Sequence, residues 1–274
     1  MRLAQIGILQ TGFHPYYKAI LAKGFASGYS LPSTSQQVLQ NNLVTSLVAN
    51  NIWSNLDVLY IFGTNGDSDF ATINWITPSS FQSTKVNSPT FNSNQGFSTN
   101  GSTSYLNTNW TPNTDAVKFQ QNNASLGVWF HTGGDGGAVA RTAIGVNSSA
   151  NTRQFLLSDS ASGNIGSRLN QSGAATPVNF FTGTASFGNQ KMYSVDRTSS
   201  AAGSQYVDGS SVSTFTNTST GMPLVSVYLL GRNNDGSLDL PGLSSWKLSV
   251  AFFGNSSINQ SSFYTSLNTY MTSI

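Results

Sequence analysis

Gln205-Tyr206-Val207-Asp208-Gly209-Ser210-Ser211-Val212-Ser213 reads as two short strands folded on a tight turn. Asp-Gly supplies the two positive-φ positions that a primed two-residue hairpin needs, and alternating side chains flank it on both sides. From this hairpin the same pattern extends in both directions. Short apolar or alternating runs at 56–62, 71–76, 95–98, 103–107, 125–131, 138–145, 153–158, 164–169, 190–196, 225–231 and 245–253 are bounded by Gly, Asn, Ser or Pro. Many short strands with frequent turn signals predict an all-β sandwich.

Two segments carry a helical period instead. Thr34-Ser35-Gln36-Gln37 fits a hydroxyl cap with Gln three residues on, and Leu39, Leu43 and Leu47 then repeat every four residues, predicting a helix over about 36–51. Ser257-Ile258-Asn259-Gln260 repeats the cap pattern before Phe263, Leu267, Tyr270 and Ile274, which predicts a closing helix. Residues 1–36 differ from the rest. Gly7, Gly12, Gly24 and Gly28 interrupt any long helix, while Phe13, Tyr16, Tyr17 and Phe25 give aromatic density without a strand period. They are expected to form an arm, either strapped over one face of the domain or anchored on a neighbouring subunit, with 37–274 as the main domain, and those four aromatics are the candidate assembly residues.

The composition of the 274 residues narrows function. Only 8% are charged, against roughly 25% in an ordinary globular chain. All 10 acidic residues are Asp. Twelve basic residues spread along the chain form no cluster that could displace nucleic-acid counterions, so no nucleic-acid partner is expected. Cys is absent, which removes disulfides, thiolate metal sites and cysteine nucleophiles. No apolar run reaches membrane-spanning length. Gln10 and Thr11 cut short the apolar start, so no secretory signal is expected.

Gln95 to Leu106, the strand Asn123-Ala124-Ser125-Leu126-Gly127-Val128-Trp129-Phe130, the Tyr206–Val212 hairpin and Val227-Tyr228-Leu229-Leu230-Gly231-Arg232 resemble, in order, the concanavalin A-like, laminin-G-like jelly roll. Ile52-Trp53-Ser54-Asn55-Leu56-Asp57, Ile73-Asn74-Trp75 and Ala251-Phe252-Phe253-Gly254 are similar to pieces of a group of tailed-bacteriophage virion proteins. These likenesses imply a jelly roll of two antiparallel sheets, flanked by a helix on each side in sequence. They imply a structural, non-enzymatic virion protein on capsid or tail, partnered by other virion proteins and by itself, plausibly as a trimer. The alternative is an adhesin whose partner is a host-surface glycan.

Chemistry is weighed on few residues. Retaining glucanases of this architecture need paired carboxylates, and neither a Glu nor an Asp-rich strand is present. His14 and His131 are the only imidazoles, with Asp135 the sole acid near either; no catalytic residue is assigned. No cofactor is expected. Calcium stays open because relatives bind it through loop oxygens, and Asn233, Asn234 and Asp235, with Asp239, form the densest such loop. One loop alone falls short of the six to eight oxygens calcium takes. Those three loop residues and Trp110, the best loop aromatic, are the candidate ligand-binding residues.

Overall fold

A computed structural model describes residues 12–134, 140–148, 153–159, 164–172, 178–179 and 187–274. Helices α1 (Pro15–Ala26) and α2 (Thr34–Ala49) come first, followed by β1 (Leu56–Ile61) and the short α3 (Ser68–Ala71). Next come β2 (Thr84–Val86), β3 (Thr90–Asn92), β4 (Gly96–Ser98), β5 (Tyr105–Asn107) and the short α4 (Pro112–Asp115). The long strands are β6 (Ala124–Thr132), β7 (Arg141–Ser148), β8 (Arg153–Asp159) and β9 (Ile165–Gln171). After β10 (Val178–Asn179) the chain forms β11 (Lys191–Ser199), β12 (Ala202–Val207), β13 (Ser210–Phe215) and β14 (Tyr228–Leu229). It closes with β15 (Arg232–Asn234), β16 (Ser237–Asp239), β17 (Lys247–Gly254) and α5 (Gln260–Met271).

The strands make two sheets, as expected of an all-β jelly-roll sandwich. Sheet A runs β13-β12-β11-β6-β17-β4-β3, with β1 beside the other half of β17. Sheet B runs β10-β9-β8-β7-β14-β5-β2, with the β15–β16 hairpin attached to β7. Pairings are antiparallel except the short β15–β7 contact. In the β12–β13 hairpin, Asp208 and Gly209 have φ of 51° and 75°, the primed turn that the dipeptide predicts.

The central strands of sheet A, β6, β17 and β1, are buried on both faces, which fixes their sequence. Leu126, Val128 and Phe130 of β6 and Ala251 and Phe253 of β17 point toward Ile144 and Val146 of sheet B. From the opposite face, Trp129, Val250 and Phe252 meet Tyr17 and Ile20 of α1, Leu43 and Leu47 of α2, and Phe263 and Leu267 of α5. Strands covered on both sides read as unbroken apolar runs rather than alternations, and residues 58–62 and 250–253 are such runs. Gly127 makes room in the helical layer, since a Cβ there would lie 2.6 Å from the Phe252 ring.

Residues 12–36 cover one face of the domain, as the strapped arrangement has it: Pro15–Ala26 is a helix with Tyr17, Ile20 and Leu21 in the helical core. Residues 1–11 lie outside the described part. Two other sequence expectations change. Gly24 sits inside α1 because a Cβ there would press on the Phe70 ring at 2.8 Å; it serves packing rather than helix breaking. Ala71–Ile76 is not a strand. Asn74 instead accepts from the Leu59 N–H at 3.1 Å, and the Trp75 N–H donates to the Leu59 carbonyl at 2.8 Å, so a side chain completes the edge of β1.

Candidate assembly face

The helical layer is built by caps and one buried network. His14 Nδ1 accepts from the Tyr16 N–H, with Pro15 opening α1. Ser33, one residue before the predicted cap, accepts from Gln36 N for α2; Asn259, two residues after the predicted Ser257, accepts from Ser262 N for α5. The displaced glutamines turn inward. Tyr17 donates to Gln40 Oε1 at 2.8 Å, and Gln40 Nε2 lies 3.0 Å from both Thr64 Oγ1 and the Tyr270 hydroxyl. Tyr270 donates onward to the Gly63 carbonyl at 2.7 Å. This chain ties α1, α2 and α5 to the segment after β1. Burial pushes the Tyr17 and Tyr270 phenols well up, with Tyr270 adding to the effect at Tyr17, so both stay neutral donors.

The outer side of this layer is short of charge. Helices of 12, 16 and 12 residues carry only Lys18 and Lys23 between them. Hydroxyls that could wet it are spent on their own backbone: Thr265, Thr269 and Thr272 donate to the carbonyls four residues earlier, as does Thr45 on α2. Tyr16, Phe25 and Val38 are 47%, 37% and 45% exposed. Tyr16 stacks on Trp53, rings 5.0 Å apart and 6° from parallel, which holds it in place. Between α2 and α5 runs a groove of about 140 Å³, floored by Leu39, Leu43 and Tyr270 and rimmed by Asn42, Ser46 and Thr269. Such a face gives up little hydration when covered.

Of the four candidate assembly aromatics, Tyr16 and Phe25 face outward. Tyr17 is fully buried, and half-buried Phe13 packs edge-on against it at 5.4 Å. The candidate ligand residues do not converge on a site. Trp110 has no exposed surface; it lies in the core against Phe119 and Phe253, at 5.5 and 5.0 Å, and cannot stack on a sugar there. Asn233 is 2% exposed, with its amide donating to the Ser226 carbonyl and its oxygen accepting from Gly236 N, both at 2.7 Å. The side-chain oxygen of Asn234 accepts from Asn147 at 2.7 Å, and Asp235 occupies the hairpin turn at φ 46°. Asp239 forms a two-bond fork with Arg232. This loop is a hairpin strapped over β7, where Gly145 is required: a Cβ would lie 3.0 Å from the Arg232 Cα.

Carboxylates are likewise committed to structure. Asp57 accepts from three successive backbone N–H groups, Val117 to Phe119, at 2.8–3.2 Å; burial still raises its pKa. Asp67 caps α3, Asp69 pairs with Lys85 at 2.8 Å, and Asp208 pairs with Lys191. Burial and Lys247 hold His131 below the usual imidazole range, and its Nδ1 lies 3.0 Å from Thr132 Oγ1. Asp135 lies outside the described residues. Among the described residues no three His or Asp side chains gather as metal ligands, and no helix is long and apolar enough to cross a membrane.

No protein-family model matches the chain, and no curated protein does. Among solved structures it is similar to a Trypanosoma rangeli sialidase mutant displaying trans-sialidase activity, at TM-score 0.54 and 15% identity over 85% of this chain and 39% of that one. The T. rangeli sialidase in complex with 2,3-difluoro-KDN matches at TM-score 0.55 and 13% identity, over 85% of this chain and 40% of that chain. The carbohydrate-binding module of Ruminococcus gnavus IT-sialidase, bound to sialyllactose, overlaps 49% of this chain and 76% of its own, at TM-score 0.36 and 13% identity. The chain thus spans about two-fifths of the length of the T. rangeli sialidases it matches. At these identities the likeness establishes a shared β-sandwich fold.

Proposed function

We propose that this chain is a non-catalytic structural protein of a bacteriophage particle, located in the virion and seated on its neighbours through the helical layer. One observation carries the reading: three helices on one side of sheet A present a face with two charges, outward Tyr16, Phe25 and Val38, and a shallow groove. Covering such a face buries apolar area without stranding ions. The likeness of the Ile52–Asp57, Ile73–Trp75 and Ala251–Gly254 segments to virion proteins supports the same reading. Neighbouring virion proteins and further copies of this chain are the proposed partners, with closed symmetry expected for a repeated appendage.

Removing residues 1–36 is a poor test, because it strips Tyr17, Ile20 and Leu21 from the core. The sharper test is Tyr16→Asp with Phe25→Asp, both on the surface. Particles assembled with this variant should contain at least about tenfold less of the chain, the equivalent of about 1.4 kcal/mol, while its melting temperature is preserved. Undiminished incorporation would sink the assembly role. Specific retention of the purified chain on a glycan array, alongside unaffected incorporation, would favour the adhesin.

A further inference from the structure

The joint between α5 and sheet A holds a carboxyl group with no cationic partner among the described residues. Gln260, the first residue of α5, turns into the sheet and is 4% exposed. Its Nε2 donates to Asp196 Oδ1 on β11 at 2.8 Å and to Ser125 Oγ on β6 at 3.0 Å. Its Oε1 accepts from Ser194 Oγ at 2.8 Å. Asp196 is 2% exposed, and its other partners are the hydroxyls of Ser125 and Tyr206. Every element packed on it brings neutral groups: Ser125 from β6, Ser204 and Tyr206 from β12, Gln260 from α5, which has no charged residue. Arg197, next along β11, reaches the opposite way to the Leu169 carbonyl at 2.7 Å, and Lys191 is held by Asp208.

The geometry points to a proton-controlled latch: α5, seated through Gln260, closes Asp196 away from water, so closure is favoured while that carboxyl keeps its proton and opposed once it ionises. A carboxylate among neutral donors, with water excluded, is penalised by lost hydration. Burial moves the Asp196 pKa from 3.8 up to about 7, against the opposite pull of the donors Ser125, Gln260 and Tyr206. Lifting α5 would return the carboxyl to water and to its ordinary pKa, so opening releases a proton. The sign follows from linkage. Closure is strongest below about pH 4, weakens as pH rises toward about 7, and is then level. When α5 lifts it uncovers Trp129, on which Tyr264 stacks at 5.8 Å, and Phe252, against which Phe263 packs at 4.6 Å.

Amide hydrogen exchange of the intact chain tests this, with rates corrected for intrinsic base catalysis. Protection over Phe263–Met271 should fall at least about tenfold between about pH 5 and about pH 8, while β7 amides hold theirs. Asp196→Asn, which keeps the shape and cannot ionise, should abolish the difference. Equal protection at both pH values, or the same loss in the variant, overturns the latch. A carbon-detected titration of Asp196 in the unmutated protein gives a second reading that does not need the variant to fold. A midpoint near 7 is expected, and one below about 5 overturns the proposal.

Discussion

Sheet A separates two cores of similar apolar content, and they are held together differently. Between the sheets, Trp110, Phe130, Trp246 and Phe253 meet as rings, with centroid separations of 5.0 Å for Trp110–Phe253 and 5.4 Å for Phe130–Trp246. Long polar side chains there reach backbone carbonyls, as Arg197 does from sheet A to Leu169, Ser200 and Asn217 and Tyr60 does to Thr108. Under the helices, carboxamides and hydroxyls run through the middle of the layer: Gln36, Gln40, Thr64 and Tyr270 on one side, Gln260, Ser194 and Asp196 on the other. A ladder of strands satisfies its own backbone, so the sandwich can rely on ring packing. Helices laid across a sheet have no such ladder to set their position, and buried hydrogen bonds provide the directional contacts that fix it.

The largest effect should come from two neighbouring residues that face opposite ways. Phe253→Ala opens the inter-sheet core and Phe252→Ala the helical one; each should cost about 3–5 kcal/mol in denaturant unfolding. A much smaller loss for Phe252 would mean the helices are a loosely held veneer. Gln40→Leu should come next, at about 1–3 kcal/mol, because it leaves buried Tyr17, Thr64 and Tyr270 short of a partner. A neutral result would show that the carboxamides add no stability to the layer. The smallest is Ser33→Ala, which removes the α2 cap and should lower stability by about 1 kcal/mol. Calorimetry would resolve it, and no shift would mean that α2 depends on tertiary packing alone.

The strands were legible where turn chemistry and burial agree. Asp208-Gly209 demands a left-handed pair, and the Ala124–Thr132 and Lys247–Gly254 runs are too apolar for any place but a covered sheet. Other features depend on partners distant in sequence. Gly24 looks like a helix breaker until the Phe70 ring above it is seen. The Asn74 alternation looks like a strand until its carboxamide is found on Leu59. Trp110 stands among Asn, Thr and Pro, which mark where the chain bends without saying which way the ring turns. For the assembly face, the scarcity of charge is plain from Pro15–Ala49 and Asn255–Ile274 alone. Which aromatics point outward is not, because the phase of α1 is set by Tyr17 locking onto Gln40.

Helices α1 and α5 both lie against sheet A, and the Ile274 side chain lies beside Gly63 on that same side, where a Cβ on the glycine would stand 3.3 Å from it. A fluorescent label or affinity handle attached at Ile274 would therefore sit beside the helices. Insertions meant for display belong in the β12–β13 turn region only if they spare α5, since even a Cβ on Gly209 would lie 2.7 Å from the Gln260 carbonyl and the Ser261 Cα. The Gly236 turn, with open space around it, is the better graft site for cargo kept clear of the helical layer.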